Sequence, residues 1–214
     1  MGSAALVHAR PMPVDGLRRI SVIRVTTPAI VLGSAQRLDL SQADVSFEQV
    51  RRRSGGGAVW VDEATGWVDV FIPRTDSLWV DDIGVSFAWL GDAAAEWLVR
   101  LGVDRERIRV VRPPFEPGKL GATLCFAGRG AGEVLVDERK MIGVSQRRTR
   151  SGARWQCCWY DLWRPEPLAG ALGIAASRVA GAGIGVGELG EGILVGQRAT
   201  VLADDFAATV SAIR

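Results

Sequence analysis

With 214 residues, 48% of them hydrophobic, the chain can bury a substantial core as one large α/β or α+β domain. A formal net charge of +2 is too small to argue for a nucleic-acid partner, and no apolar run approaches a membrane span or a signal peptide. Cys125, Cys157 and Cys158 form neither a CxxC pair nor an even disulfide framework, which indicates a soluble, reduced, cytoplasmic protein. The single histidine, His8, stands in an N-terminal segment expected to fray, so neither imidazole catalysis nor a His-ligated metal is expected.

Taken in order, "RISVIRV" (19–25) and "PAIVLGS" (28–34) read as short apolar strands. "RLDLSQADVSFEQ" is a connector with one helical turn. "VRRR" enters a glycine loop, "AVWVD" leaves it as a strand, and "GWVDVFIP" (66–73) pairs with that strand as a hairpin through "EATG". Residues 83–103 give the clearest helix: Phe87, Leu90, Ala94, Trp97, Leu98 and Leu101 share one face, and Gly102 closes the C-terminus. "RIRVVR", "ATLCFAG", "GEVLVDE", "KMIGVSQRR" and "ARWQCCWY" follow as short strands. "PEPLAGAL" and "DDFAATVSAIR" fit helices, joined by the flexible "GAGIGVGELGEG". The pattern predicts an α+β fold, a mixed, largely antiparallel sheet flanked by helices.

Two stretches carry chemistry. "RRRSGGGAVWVD" (51–62) runs three guanidinium groups into nearly side-chain-free backbone, a combination suited to a phosphate or carboxylate. Because side chains alternate along a strand, at most two of Arg51, Arg52 and Arg53 can face one ligand. The second stretch, "CFAGRGAGEVLVDERKMIGVSQRR" (125–148), places Lys140 where a turn enters an apolar strand.

"RRRSGGGAVW" followed by "RKMIGVSQRR", with "IVLGSAQ" ahead of both, resembles the lipoate–protein ligase A and octanoyltransferase family, within the biotin/lipoate protein ligase superfamily. The resemblance covers roughly residues 28–160. It implies a catalytic domain related to class II aminoacyl-tRNA synthetases. Only about 70 residues follow "QRR", too few for the separate C-terminal accessory domain that family ligases often carry, so a single catalytic domain is expected over 1–214. It further implies lipoate or octanoate as substrate, held in a tunnel beside the glycine loop, and ATP with Mg if the protein is a ligase. No tightly bound cofactor is implied. The implied partners are lipoyl carrier domains of 2-oxoacid dehydrogenases or the glycine cleavage H protein, and possibly acyl carrier protein as donor.

On this resemblance Lys140 contacts the acyl carbonyl. Arg51, Arg52, Ser54, Gly55, Gly56, Gly57, Ala58, Gly143 and Ser145 bind the acyl group or nucleotide. The chemistry is consistent, because the carbonyl oxygen of an acyl adenylate or thioester gains negative charge as an amine attacks, and a fixed ammonium stabilises it. Cys125 precedes Lys140 by 15 residues. In the related cysteine-dependent octanoyltransferases a cysteine so placed carries the acyl group as a thioester. Two routes therefore stand open, an ATP-dependent ligase and a Cys125 transferase, beside a non-catalytic acyl-binding module. In this chain Val61 and Gln156-Cys157 stand where relatives often carry His and His-Gly.

Overall fold

The computed structural model describes residues 2–37, 46–190 and 198–214; the expected helical turn in 37–49 falls largely outside them. In chain order the elements are α1 (Ala4–Ala9), β1 (Arg19–Ile23), β2 (Ala29–Leu32), β3 (Glu48–Arg51), β4 (Val59–Val61), β5 (Thr65–Pro73), α2 (Ala88–Arg100), β6 (Ile108–Val110), β7 (Val134–Val136), β8 (Arg139–Arg148), β9 (Gly152–Tyr160), α3 (Glu166–Ala171) and α4 (Ala199–Ser211).

The nine positions of β5 are all buried, so it must be covered on both faces. It lies inside a six-stranded antiparallel sheet of order β1-β5-β9-β8-β7-β6. Strand alternation sorts its two faces. Val68, Val70 and Ile72 of β5, with Ala153, Trp155, Cys157 and Trp159 of β9, pack under α2 and α4. There Trp97, Trp159 and Phe206 form an aromatic knot with centroids 5.0–5.5 Å apart. The opposite face, with Trp67, Cys158 and Tyr160, packs against a three-stranded sheet of order β3-β2-β4, α1 and α3. In that small sheet β2 runs parallel to β3 and antiparallel to β4. The whole is an α+β fold with a mixed, largely antiparallel sheet content, and the seam between the two sheets positions the site.

Three local expectations are corrected. β4 and β5 are not a hairpin: β4 pairs with β2, and β5 with β1 and β9. The cause sits at Asp62, whose carboxylate takes Ala64 N–H (3.0 Å) and the Thr65 hydroxyl (3.0 Å), a local turn that redirects the chain between sheets. "ATLCFAG" is not a strand but a 3-10 turn at Cys125–Ala127, held by Cys125 N–H donating to the Ala58 carbonyl at 2.8 Å. The described part of the glycine-rich stretch, residues 181–190, is packed rather than a loose connector. Lys140 N–H donates to Ala182 (2.9 Å), Ile184 N–H to Lys140 (3.0 Å), and Ile184 and Val186 enter the core.

Candidate active site

The glycine loop is built around Arg52. At the exit of β3 the chain leaves Arg51 and Arg53 exposed and turns Arg52 inward, where it is buried. Its guanidinium donates to the carbonyls of Gly55 (2.7 Å), Gly57 (2.8 Å) and Val31 (3.3 Å), so the fork braces the loop from beneath. Gly56 sits at φ +98°, and a Cβ there would stand 2.8 Å from the Arg52 guanidinium. At Gly57 a Cβ would lie 2.5 Å from the Gly121 carbonyl, so that position is closed by backbone. Gly55 has open space around it.

Gln36 joins this loop to the turn that carries Cys125. Its carbonyl oxygen accepts Gly33 N–H (2.8 Å), and its amide donates to Thr123 (2.9 Å) and Ala122 (3.1 Å). Ala58, fully buried, exchanges backbone bonds of 2.8 Å with Thr123 and Cys125.

Lys140 is drawn inward from β8. Its Nζ pairs with Glu133 Oε2 at 2.6 Å, donates to the Cys125 carbonyl at 2.6 Å, and lies 5.5 Å from the Phe126 ring centroid. Both charged side chains are almost wholly buried, at 2% and 4% exposure. Glu133 also accepts Gly130 N–H at 2.6 Å. An unpaired ammonium at such depth would be very costly, so Glu133 is what lets a cation sit there.

Two spaces meet at Cys125. An open groove of about 470 Å³ runs along Gly55–Gly57, Phe115, Gly128–Ala131, Glu133 and Lys140. A narrow, mainly apolar chamber of about 40 Å³ lies deeper between the sheets, among Val31, Val59, Val61, Trp67, Gly143 and Cys158. Arg52, Cys125, Val144 and Ser145 line both. Of the residues expected from sequence, the structure thus brings together Cys125, Lys140, Arg52, Gly55, Gly56, Gly57, Gly143 and Ser145. Ser54 stands behind them, its hydroxyl 3.1 Å from that of Ser145. Arg51 points elsewhere, donating to the carbonyls of Gly33 (3.2 Å) and Gln36.

Sequence reasoning missed Glu133 as a partner of Lys140 and misplaced His8. His8 is not frayed: α1 docks through fully buried Ala4 and Val7, and the imidazole lies 5.3 Å from the Trp67 ring, lining the chamber. Burial, and then the nearby Arg52 and Arg154 charges, hold its pKa down to about 4, so the ring is neutral near pH 7. Burial also pushes the Cys158 thiol up to about 12 and raises the Cys157 thiol well above its ordinary range, leaving both as inert packing groups. Among the described residues no cluster of three or more His, Cys, Asp or Glu stands close enough to hold a metal ion, and no helix is long and apolar enough to cross a membrane.

An inward lysine on an antiparallel sheet and an arginine-braced glycine loop thus line one groove in an α+β domain. Residues 15–160 match the family model of the lipoyl protein ligase A/B catalytic domain, and the chain belongs to that family. The match begins at residue 15, ahead of the resemblance visible by eye from residue 28. Among solved structures, a lipoate-protein ligase A bound with ATP is similar, with a TM-score of 0.60 at 18% identity, covering 92% of this chain and 74% of that one. A Thermoplasma acidophilum protein with bound lipoic acid gives 0.60 at 17%, covering 96% and 77%. The bi-partite lipoate protein ligase studied with its E2 lipoyl domain, from the same organism, gives 0.61 at 18%, covering 91% and 71%. A search among curated protein sequences finds no match.

Proposed function

We propose that the protein attaches a lipoyl or octanoyl group to a specific lysine of a lipoyl carrier domain, acting as one catalytic domain over residues 1–214. The observation that carries this reading is the position of Lys140 Nζ, 2.6 Å from a main-chain carbonyl at the junction of groove and chamber. In this reading the acyl tail enters the apolar chamber and its carbonyl stops beside Lys140. The ammonium then stabilises the oxyanion formed when the carrier lysine attacks. The N–H groups of Gly55 and Gly56, the exposed residues of the loop on the groove side, receive a phosphate of ATP or of the acyl adenylate. The relatives solved with ATP, with lipoic acid and in a study with an E2 lipoyl domain support this choice of substrates and carrier. A separate accessory protein for adenylation is compatible with the bi-partite relative.

One observation favours a second route. Cys125 lines both spaces, the place a nucleophile must occupy to receive an acyl group from the groove and hold its tail in the chamber. In that route the Cys125 thiolate attacks the thioester carbonyl of octanoyl-acyl carrier protein, and the carrier thiol leaves with a proton. The lysine amine of the lipoyl domain then attacks the new thioester and releases Cys125 as thiol.

The test is acylation of a lipoyl domain by purified protein, supplied with lipoate and ATP in one arm and octanoyl-acyl carrier protein in the other. Intact mass of the protein after denaturation separates a covalent thioester, which persists, from a bound adenylate, which is lost. Acyl binding without transfer in either arm would leave a non-catalytic acyl-binding module and overturn the enzymatic reading.

A further inference from the structure

One wall residue of the chamber comes from outside the family match. Residues 1–14 precede the matched span, yet α1 supplies His8 to the wall. The segment is anchored at both ends. Gly2 N–H donates to Arg24 (3.2 Å) and its carbonyl accepts Thr26 N–H (3.3 Å), while buried Arg154 holds the carbonyl of Pro11 at 2.8 Å.

The walls of the chamber differ in how firmly they are held. Val31, Val59 and Val61 belong to paired strands. Trp67 is fixed by its indole N–H donating to Asp69 at 2.7 Å, and Gln156 donates to the same carboxylate at 3.1 Å. His8 is on a six-residue helix, and among the described residues no hydrogen bond holds its imidazole, which rests on Trp67. A single water needs roughly 10–15 Å³ of such space. The chamber, at about 40 Å³, therefore holds only about three waters, too little for a long acyl tail unless a wall gives.

We propose that His8 is the end wall of the acyl chamber and sets the length of the acid it admits. This rests on the acyl-site reading given above and extends it to the determinant of chain length. Truncating the imidazole lengthens the chamber along the Trp67 face. A larger ring that keeps the Trp67 contact shortens it. Each additional methylene buried is worth about a fourfold gain in affinity.

The experiment is calorimetric titration of the full chain, and of His8→Ala and His8→Phe, with straight-chain acids from butanoate to dodecanoate, each protein being checked by thermal melting. His8→Ala is expected to move the tightest-binding acid toward longer chains, and His8→Phe toward shorter ones. The two opposite shifts are not what a general loosening of the fold produces, and His8→Phe alone carries the test should His8→Ala melt. The same optimum in all three proteins overturns the role of His8. If the unaltered protein binds no acid of any length, the acyl-site reading falls and the inference with it, a result distinct from an unshifted optimum.

Discussion

Lys140 and Glu133 form a 2.6 Å ion pair inside the protein, with almost no solvent on either side chain. Removing one member of such a pair leaves a buried charge, at a typical cost of about 3–5 kcal/mol. Lys140→Ala is therefore expected to lose stability as well as to slow acyl transfer by about two orders of magnitude. The double variant Lys140→Met, Glu133→Gln removes both charges and keeps an acceptor for Gly130 N–H. It should regain most of the stability in urea titration while transfer stays low. Transfer within a few-fold of the unaltered protein in the double variant would remove Lys140 from the chemistry.

The glycine loop separates into a folding position and a ligand position. Gly56→Ala meets both a positive φ and the Arg52 guanidinium at 2.8 Å, so it should destabilise the fold by about 1–2 kcal/mol in addition to any effect on binding. Gly55→Ala meets open space, so its melting temperature should stay close to that of the parent. If the loop receives a phosphate, Gly55→Ala should weaken ATP or acyl-adenylate binding about tenfold. Unchanged affinity in a well-folded Gly55→Ala protein would make the loop a turn and nothing more.

What was legible in the sequence was local. The period-2 alternation of "VRRR" separates buried Arg52 from exposed Arg51 and Arg53, and the apolar face of 83–103 holds Leu90, Ala94, Trp97 and Leu98, four of the six buried residues of α2, although the helix starts only at Ala88. "RKMIGVSQRR" places Lys140 on a strand because the apolar run after it demands burial. The elements that were misread depend on contacts remote in sequence. Neither the Asp62 turn between sheets nor the 3-10 turn at Cys125 leaves a periodic trace. The stretch 181–190 is glycine-rich yet packed: at Gly183 a Cβ would lie 2.5 Å from Trp163 and 3.0 Å from Phe126. His8 faces the chamber only because α1 docks on the seam between the sheets, and no local pattern announces that packing.

His8 also makes a pH prediction. Its pKa is about 4 in the folded protein against 6.5 ordinarily, so between these values the unfolded chain binds the extra proton. Stability contributed by the neutral ring is complete above about pH 6.5 and is lost as pH falls toward 4, by at most about 3 kcal/mol. Other groups titrate in the same range, so the quantity to measure is the stability of the parent minus that of His8→Gln. This difference should fall on acidification across the window. A difference that stays flat with pH would mean a solvated imidazole and would undo the placement of His8 in the chamber wall.

The choice between ligase and transferase turns on Cys125. Its carbonyl serves Lys140 through the main chain, so replacing the side chain leaves that 2.6 Å bond in place. The other two cysteines, Cys158 near it and Cys157 on the opposite face of the sheet, have thiols raised by burial and cannot take over as thiolates near neutral pH. Cys125→Ala and Cys125→Ser therefore change one chemical group in an intact site. If the acyl group passes through a thioester, both variants should lose transfer from octanoyl-acyl carrier protein by at least about two orders of magnitude, and the covalent mass gain should vanish with it. If the carrier lysine attacks an adenylate directly, both variants should retain most of their activity with lipoate and ATP, because the side chain at 125 then only packs. A Cys125→Ala protein that still acylates a lipoyl domain from octanoyl-acyl carrier protein would exclude the Cys125 thioester, because the carrier lysine would then attack the donor thioester directly.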